Sequence, residues 1–205
     1  MKTLVLTTLF ALSLSLGSFT LSSDGYEVGD YATNFDLKNV DGNMVSLSDY
    51  EEAKGFIVVF TCNECPYAKL YQDRINELNE KYESKGFPVI AINPNDPERS
   101  PADRYENMQA RAEEKDYTFP YLVDETQEIT RAYGATNTPH VYILDKEEKD
   151  KFRVAYIGAI DNNYKDAEKA DKHYVQETVD ALLNGQEVPI TKTKAIGCTI
   201  KWSNA

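Results

Sequence analysis

Two cysteines separated by two residues are the first feature of this sequence that can carry chemistry. Cys62 and Cys65 enclose Asn63-Glu64, and Pro66 follows the second cysteine. A Cys-x-x-Cys pair alternates between a dithiol and a disulfide, and its thiolate attacks disulfide bonds in other molecules. The spacing therefore indicates thiol–disulfide exchange, with Cys62 and Cys65 as the catalytic residues.

The residues around the pair predict the elements that position it. Gly55 to Phe60 form a continuous apolar run, which is typical of a strand buried on both faces. From Tyr67 onward, apolar residues recur at helical spacing until Gly86, which predicts a helix that begins at the cysteines. A helix N-terminus presents unpaired N–H groups that favour a thiolate. We therefore expect Cys62 to be the nucleophile and Cys65 to resolve the mixed disulfide.

Other uses of a close cysteine pair have different requirements. A structural disulfide is sterically possible, but it would close so small a loop that it restrains little of the unfolded chain. A metal site needs further ligands. Cys198 and His140 have suitable side chains, but both lie far from the pair in the sequence. Covalent haem attachment needs a histidine after the second cysteine, where this chain has Pro66, and is excluded.

The rest of the chain predicts an alternation of strands and helices. Asp41-Gly42 lies between two alternating apolar and polar runs in residues 36–47, which predicts a hairpin. Further strands are expected at residues 87–92, 119–123, 141–145 and 152–160, and further helices at 102–115, 125–133 and 173–183. This order predicts an α/β domain with a central mixed sheet flanked by helices.

Several segments resemble the thioredoxin-like superfamily, in particular its redoxin (AhpC/TSA) type. The similar segments are Gly29–Leu37, Asp41-Gly42, Val45–Tyr50, the strand that precedes Cys62-x-x-Cys65, and Gly134–Val141. The match runs from about Gly25 to Asn162 and is closest to the peroxiredoxin-like group that keeps a thioredoxin-style dithiol. The resemblance implies a thioredoxin-like fold with a cis Thr138–Pro139 bond against the dithiol, where the Thr138 backbone holds an extended substrate segment.

The resemblance leaves open which reaction the dithiol performs. The first hypothesis is a thiol–disulfide oxidoreductase that acts on protein or small-molecule disulfides and is reduced by an upstream thiol donor, without a cofactor or a bound metal. The second is a thiol-dependent peroxidase. Peroxiredoxins carry a Pro-x-x-x-Thr-x-x-Cys frame, which neither Cys62 nor Cys65 completes. The third is a metal-binding module that uses the two thiols as ligands.

Two further residues are auxiliary candidates. The strand before the dithiol holds no acid to accept a proton from Cys65, so His140, which follows Pro139, is a candidate base or thiolate stabiliser. Cys198 lies in a tail whose Gly197–Trp202 segment also resembles the peroxiredoxin-like group, which favours a docked tail. Three uses of Cys198 stay open: disulfide relay, a buried unreactive thiol, and an intermolecular bond.

The ends of the chain and its charge predict location and exclude some partners. Residues 1–23 read as a signal peptide, residues 24–185 as the thioredoxin-like domain and residues 186–205 as a tail. We therefore expect export to the periplasm or cell envelope, with no membrane segment in the mature form. A net charge of -12 repels nucleic acid and anionic lipid, so neither is an expected partner.

Overall fold

The structure, a computed structural model, describes residues 25–204, and the predicted signal peptide lies outside the described residues. The strands are β1 (Tyr31–Ala32), β2 (Asp36–Asn39), β3 (Met44–Ser46), β4 (Gly55–Phe60), β5 (Val89–Asn93), β6 (Tyr121–Val123), β7 (Asn137–Thr138), β8 (His140–Glu148), β9 (Lys151–Gly158) and β10 (Cys198–Thr199). The α-helices are α1 (Pro66–Tyr82), α2 (Tyr105–Glu114), α3 (Glu128–Tyr133) and α4 (Tyr174–Leu183).

The main sheet contains eight strands in the order β1-β9-β8-β4-β5-β6-β2-β3. Strand β4 lies at its centre, parallel to β5 and antiparallel to β8. Strands β7 and β10 form a separate antiparallel pair. The predicted central mixed sheet is therefore confirmed.

Successive side chains of the central strand β4 point to opposite faces of the sheet, so the core has two layers. Ile57 and Val59 face one side, where they pack with α1, α2 and α4. Phe56, Val58 and Phe60 face the other side, where they pack with α3 and the N-terminal segment. A strand that is buried on both faces has to be apolar at every position, which is why residues 55–60 form an unbroken apolar run.

The predicted elements are present, with shifted ends. The hairpin at Asp41-Gly42 pairs β2 with β3, and Gly42 takes a left-handed φ of 91° in the turn. Helix α2 is shorter than predicted, because residues 101–103 form a separate 3-10 turn before it. Within residues 25–204, none of the helices combines the length and the apolar character that a membrane crossing requires.

Candidate active site

The dithiol lies in the loop that joins the central strand to the longest helix. Strand β4 ends at Phe60, and the Thr61 N–H donates to the Ile92 carbonyl at 2.9 Å, which fixes the start of the loop. Cys65 is the N-cap residue of α1 and Pro66 is its first residue, where the missing N–H leaves no hydrogen bond unmade. The helix N-terminus thus acts most directly on Cys65, whereas the sequence predicted its effect at Cys62.

Thr138 contacts both sulfurs of the dithiol. Its hydroxyl lies 3.1 Å from Cys62 Sγ, and its carbonyl oxygen lies 3.1 Å from Cys65 Sγ and accepts a hydrogen bond from that thiol when it is protonated. The Thr138–Pro139 peptide bond is cis. The structure thus brings together the dithiol and the two residues expected to bind substrate.

The C-terminal tail lies across the same site. Strand β10 pairs with β7 so that Cys198 is opposite Thr138 and Thr199 is opposite Asn137. The Cys198 N–H donates to Cys65 Sγ at 3.3 Å. The backbone edge that was expected to hold a substrate segment therefore holds the chain's own residues.

Close packing and backbone hydrogen bonds fix the tail. A Cβ at Gly197 would lie 2.1 Å from the Thr138 carbonyl oxygen, so only glycine fits there. Ile200 is 5% exposed, and its N–H donates to the Thr136 carbonyl at 3.2 Å. The Trp202 ring stacks on the Arg131 guanidinium at 4.4 Å. With the tail in place, Cys62 and Cys65 are each only 3% exposed, whereas Cys198 is half-buried.

The two thiols of the dithiol titrate as a pair. Hydrogen bonding to Cys65, burial and the Asp103 carboxylate raise the pKa of Cys62 well above its ordinary value. Hydrogen bonding to Cys62 lowers the pKa of Cys65 to about 5, and the thiol and N–H of Cys198 act in the same direction. The reduced pair therefore gives up one proton readily and shares the second, which is held mainly at Cys62.

A buried carboxylate lies beside the dithiol, and the local sequence pattern did not predict it because Asp103 is 40 residues from Asn63 in the chain. Asp103 is 2% exposed and accepts a hydrogen bond from the Asn63 N–H at 2.7 Å. The side chains of Asn93, Asn95 and Ser100 also donate to it. The three side-chain bonds hold the Asp103 carboxylate in place, and its bond to the Asn63 N–H fixes the backbone between the two cysteines. The Ser-x-x-Asp spacing at residues 100–103 is the local sequence signal for this turn. In the structure the Ser100 hydroxyl donates to the Asp103 carboxylate and does not cap the turn.

His140 lies at the start of β8, on the face of the sheet that carries Tyr142. Its Nδ1 accepts a hydrogen bond from the Thr136 N–H at 3.4 Å, and its ring packs against Tyr142 at 4.9 Å. Burial and the charge of Lys192 lower the pKa of His140 to about 4, so the ring is neutral at neutral pH. None of the hydrogen bonds that the sulfurs make within the described residues involves His140.

Comparison with known sequences places the chain in a family. The sequence pattern of the AhpC/TSA family matches residues 28–152, more than half of the chain. The chain belongs to the AhpC/TSA family. A crystal structure of an uncharacterised conserved protein from Geobacillus kaustophilus is also similar, with a TM-score of 0.81 and 39% identity, covering 89% of this chain and 96% of that one.

The chain is also similar to a thiol–disulfide oxidoreductase in sequence and to a thioredoxin-family protein in fold. Thiol-disulfide oxidoreductase ResA of Geobacillus thermodenitrificans is 28% identical over 153 residues, which is 74% of this AhpC/TSA chain and 83% of that protein. A thiol:disulfide interchange protein of the thioredoxin family from Chlorobium tepidum shares the fold, with a TM-score of 0.56 and 17% identity over 78% of this chain and 98% of that one. The predicted thioredoxin-like fold is confirmed.

The described part of this AhpC/TSA protein offers no cluster of metal-ligating side chains. Within residues 25–204, no set of three or more His, Cys, Asp or Glu side chains is arranged to hold a metal ion. The cysteine sulfurs contact Thr138 and the Cys198 N–H, and the three cysteines pack with Ala68 and Tyr67 of α1.

Proposed function

We propose that this protein is a thiol–disulfide oxidoreductase in which Cys62 and Cys65 exchange with disulfides of proteins or small molecules. The observation that carries the proposal is that both sulfurs contact Thr138 at 3.1 Å at the end of the central strand. The similarity to ResA proteins supports the same reaction class. An upstream thiol donor returns the pair to the dithiol. The signal-peptide pattern of residues 1–23 supports export to the cell envelope.

The shared proton of the pair allows Cys62 to attack. As the substrate disulfide approaches, the Cys62 proton moves to the Cys65 thiolate, so the second cysteine acts as the base that the preceding strand lacks. The Thr138 hydroxyl donates to the developing Cys62 thiolate and lowers its pKa. Cys62 Sγ then bonds to one substrate sulfur, and the other leaves as a thiolate with the electron pair of the broken bond.

Cys65 completes the exchange. Its proton passes to the departing substrate thiolate, and its sulfur attacks Cys62 Sγ. The Cys62–Cys65 disulfide forms and the second substrate sulfur leaves, so the substrate gains the two electrons that the pair loses. Because the tail covers both sulfurs, a macromolecular substrate reaches Cys62 only when strand β10 moves aside.

Trapping of the mixed disulfide tests this assignment. The Cys65→Ser variant, incubated with oxidised insulin, is expected to accumulate an insulin adduct on Cys62, because the resolving thiol is absent. The matched Cys62→Ser variant is expected to trap none. Hydrogen peroxide serves as a competing oxidant in a separate arm. Fast peroxide consumption that persists in one of these variants, together with slow insulin reduction by the wild type, would replace this proposal with a thiol peroxidase.

A further inference from the structure

A third thiol lies at the dithiol, and the exchange described above does not use it. The Cys198 N–H donates to Cys65 Sγ at 3.3 Å, and each of these two thiols shifts the pKa of the other. Cys65 therefore lies next to two other cysteines, Cys62 in its own loop, which contacts the same Thr138, and Cys198 in the tail. Such an arrangement suits transfer of a disulfide, since the central sulfur can bond to either neighbour.

Backbone contacts place Cys198 at this position, so the contact does not depend on a mobile side chain alone. Pairing of β10 with β7 puts Cys198 opposite Thr138, and the Asn137 side chain donates to the Gly197 carbonyl at 3.0 Å. On the other side of Cys198, the Lys201 N–H donates to the Asn95 side chain at 2.9 Å. The tail is therefore fixed both before and after the cysteine.

We propose that Cys198 is a third catalytic cysteine, which takes over the disulfide from Cys62 and presents it to the upstream thiol donor. The proposal rests on the proposed exchange function. The Cys198 thiolate attacks Cys65 Sγ of the Cys62–Cys65 disulfide, so the Cys65–Cys198 bond forms and the Cys62–Cys65 bond breaks. Cys62 leaves with the electron pair and takes up the proton that Cys198 lost, so this step involves no net oxidation.

The donor then completes the cycle. One thiolate of a donor dithiol attacks Cys198 Sγ, and Cys65 leaves as a thiolate. The second donor thiol displaces Cys198, so the donor loses two electrons and the three cysteines are again reduced. The relay makes the disulfide more accessible to the donor, because Cys62 and Cys65 are 3% exposed whereas Cys198 is half-buried.

The charge of Cys65 restricts the relay to the oxidised protein. In the reduced protein, burial and the neighbouring Cys65 sulfur raise the pKa of Cys198 to about 11, which keeps it protonated. Once Cys65 is in a disulfide, its sulfur carries no charge. The charge of Cys65 then no longer raises the pKa of Cys198, whereas burial still does, so the Cys198 thiolate forms more readily than in the reduced protein.

Peptide mapping distinguishes the two disulfides. Trypsin places Cys62 and Cys65 in one peptide, Gly55–Lys69, and Cys198 in another, Ala195–Lys201. The protein is oxidised with glutathione disulfide, blocked with iodoacetamide and digested without reduction. For the wild type we expect an internal Cys62–Cys65 disulfide together with a fraction of linked peptides. The Cys62→Ser variant is expected to give the linked peptides alone, and the matched Cys65→Ser variant to lose the intramolecular link.

The outcomes separate this proposal from the exchange function. An internal Cys62–Cys65 disulfide without linked peptides in the wild type or in Cys62→Ser would overturn the relay and leave the exchange function intact. Equal linkage in Cys62→Ser and Cys65→Ser would also overturn it, because Cys65 would then have no special position. A wild type that forms no internal disulfide would count against the exchange function itself.

A kinetic measurement supplies an independent readout. Oxidised wild type, Cys198→Ser and Thr199→Ala are re-reduced with dithiothreitol, and the appearance of free thiols is followed. We expect Cys198→Ser to be re-reduced more slowly than the wild type. Thr199→Ala is expected to behave like the wild type, since Thr199 is exposed on the same strand. Re-reduction of Cys198→Ser at the wild-type rate would contradict the relay.

Discussion

The two segments that bring cysteines to the active site are positioned in different ways. The β4–α1 unit holds Cys62 and Cys65 at the junction of a fully buried strand and a 17-residue helix. The tail, residues 186–204, holds Cys198 on a two-residue strand in an otherwise irregular segment. Burial of apolar side chains fixes the β4–α1 unit, whereas contacts of the backbone mainly fix the tail. We therefore expect the tail to open locally at a smaller free-energy cost than the β4–α1 unit.

Two buried isoleucines, one in each segment, test this difference. Ile57 on β4 is fully buried, and Ile200 in the tail is 5% exposed. Ile57→Ala is expected to lower the free energy of unfolding by about 2–5 kcal/mol, because it leaves a cavity between rigid elements. Ile200→Ala is expected to cost less, because the tail can shift to fill the space. Urea unfolding measures both, and equal losses would show that the tail is as firmly integrated as the central strand.

The pH dependence of stability tests the effect of burial and of the tail's charge on His140. The pKa of His140 is about 4 in the folded chain, lowered by burial and by Lys192 of the tail from an ordinary value of 6.5. As pH falls, the unfolded chain therefore binds the proton first. The stability contribution is complete above about pH 6.5 and declines until about pH 4, by about 3 kcal/mol. Denaturant unfolding across this range measures it.

Variants at His140 and Lys192 provide the controls for that pH dependence. His140→Gln is expected to remove this part of the decline, since glutamine does not titrate. Lys192→Gln is expected to make it slightly smaller, because removal of the neighbouring positive charge raises the pKa of His140. A wild type and a His140→Gln variant with the same pH profile would mean that the histidine is protonated without loss of the folded state.

A matched pair of glycines tests the tail without removing an apolar side chain. A Cβ at Gly197 would lie 2.1 Å from the Thr138 carbonyl oxygen, and one at Gly55 would lie 2.2 Å from the Leu144 carbonyl oxygen. Gly197→Ala is expected to displace β10 and to speed iodoacetamide labelling of the dithiol with little change in global stability. Gly55→Ala is expected to lower global stability instead. Unchanged labelling in Gly197→Ala would show that the tail does not cover the sulfurs in solution.

The same contrast explains what could be predicted from sequence. The β4–α1 unit depends on local patterns, namely an apolar run and a helical period on either side of the cysteine pair, and the strand and helix that these patterns predict are present. The docked tail depends on contacts about 60 residues apart in the chain, such as Gly197 against Thr138, and Asp103 reaches Asn63 across 40 residues. No local periodicity encodes such contacts. The N-cap position of Cys65 depends on where the helix starts, and element boundaries are poorly determined by periodicity.

The smallest expected effect concerns the carboxylate behind the dithiol. Asp103 is one of several causes that raise the pKa of Cys62, after hydrogen bonding to Cys65 and burial. Asp103→Asn removes the negative charge, so the pKa of Cys62 is expected to fall and its thiolate to form at lower pH. The ultraviolet absorbance of the thiolate, followed against pH in the reduced protein, measures this shift. A shift of this titration to lower pH in Asp103→Asn would indicate an electrostatic role of the carboxylate, and an unchanged titration would indicate a purely structural one.

A second buried carboxylate supplies the control for this measurement. Asp161 is 5% exposed and is paired with Arg74, and it is not among the charges that act on Cys62. Asp161→Asn is therefore expected to leave the thiolate titration unchanged, even if it lowers stability. If both variants shift the titration alike, the effect comes from loosening of the fold. If only Asp103→Asn shifts it, the carboxylate acts on the sulfur through its charge, and a residue outside the β4–α1 unit tunes the dithiol.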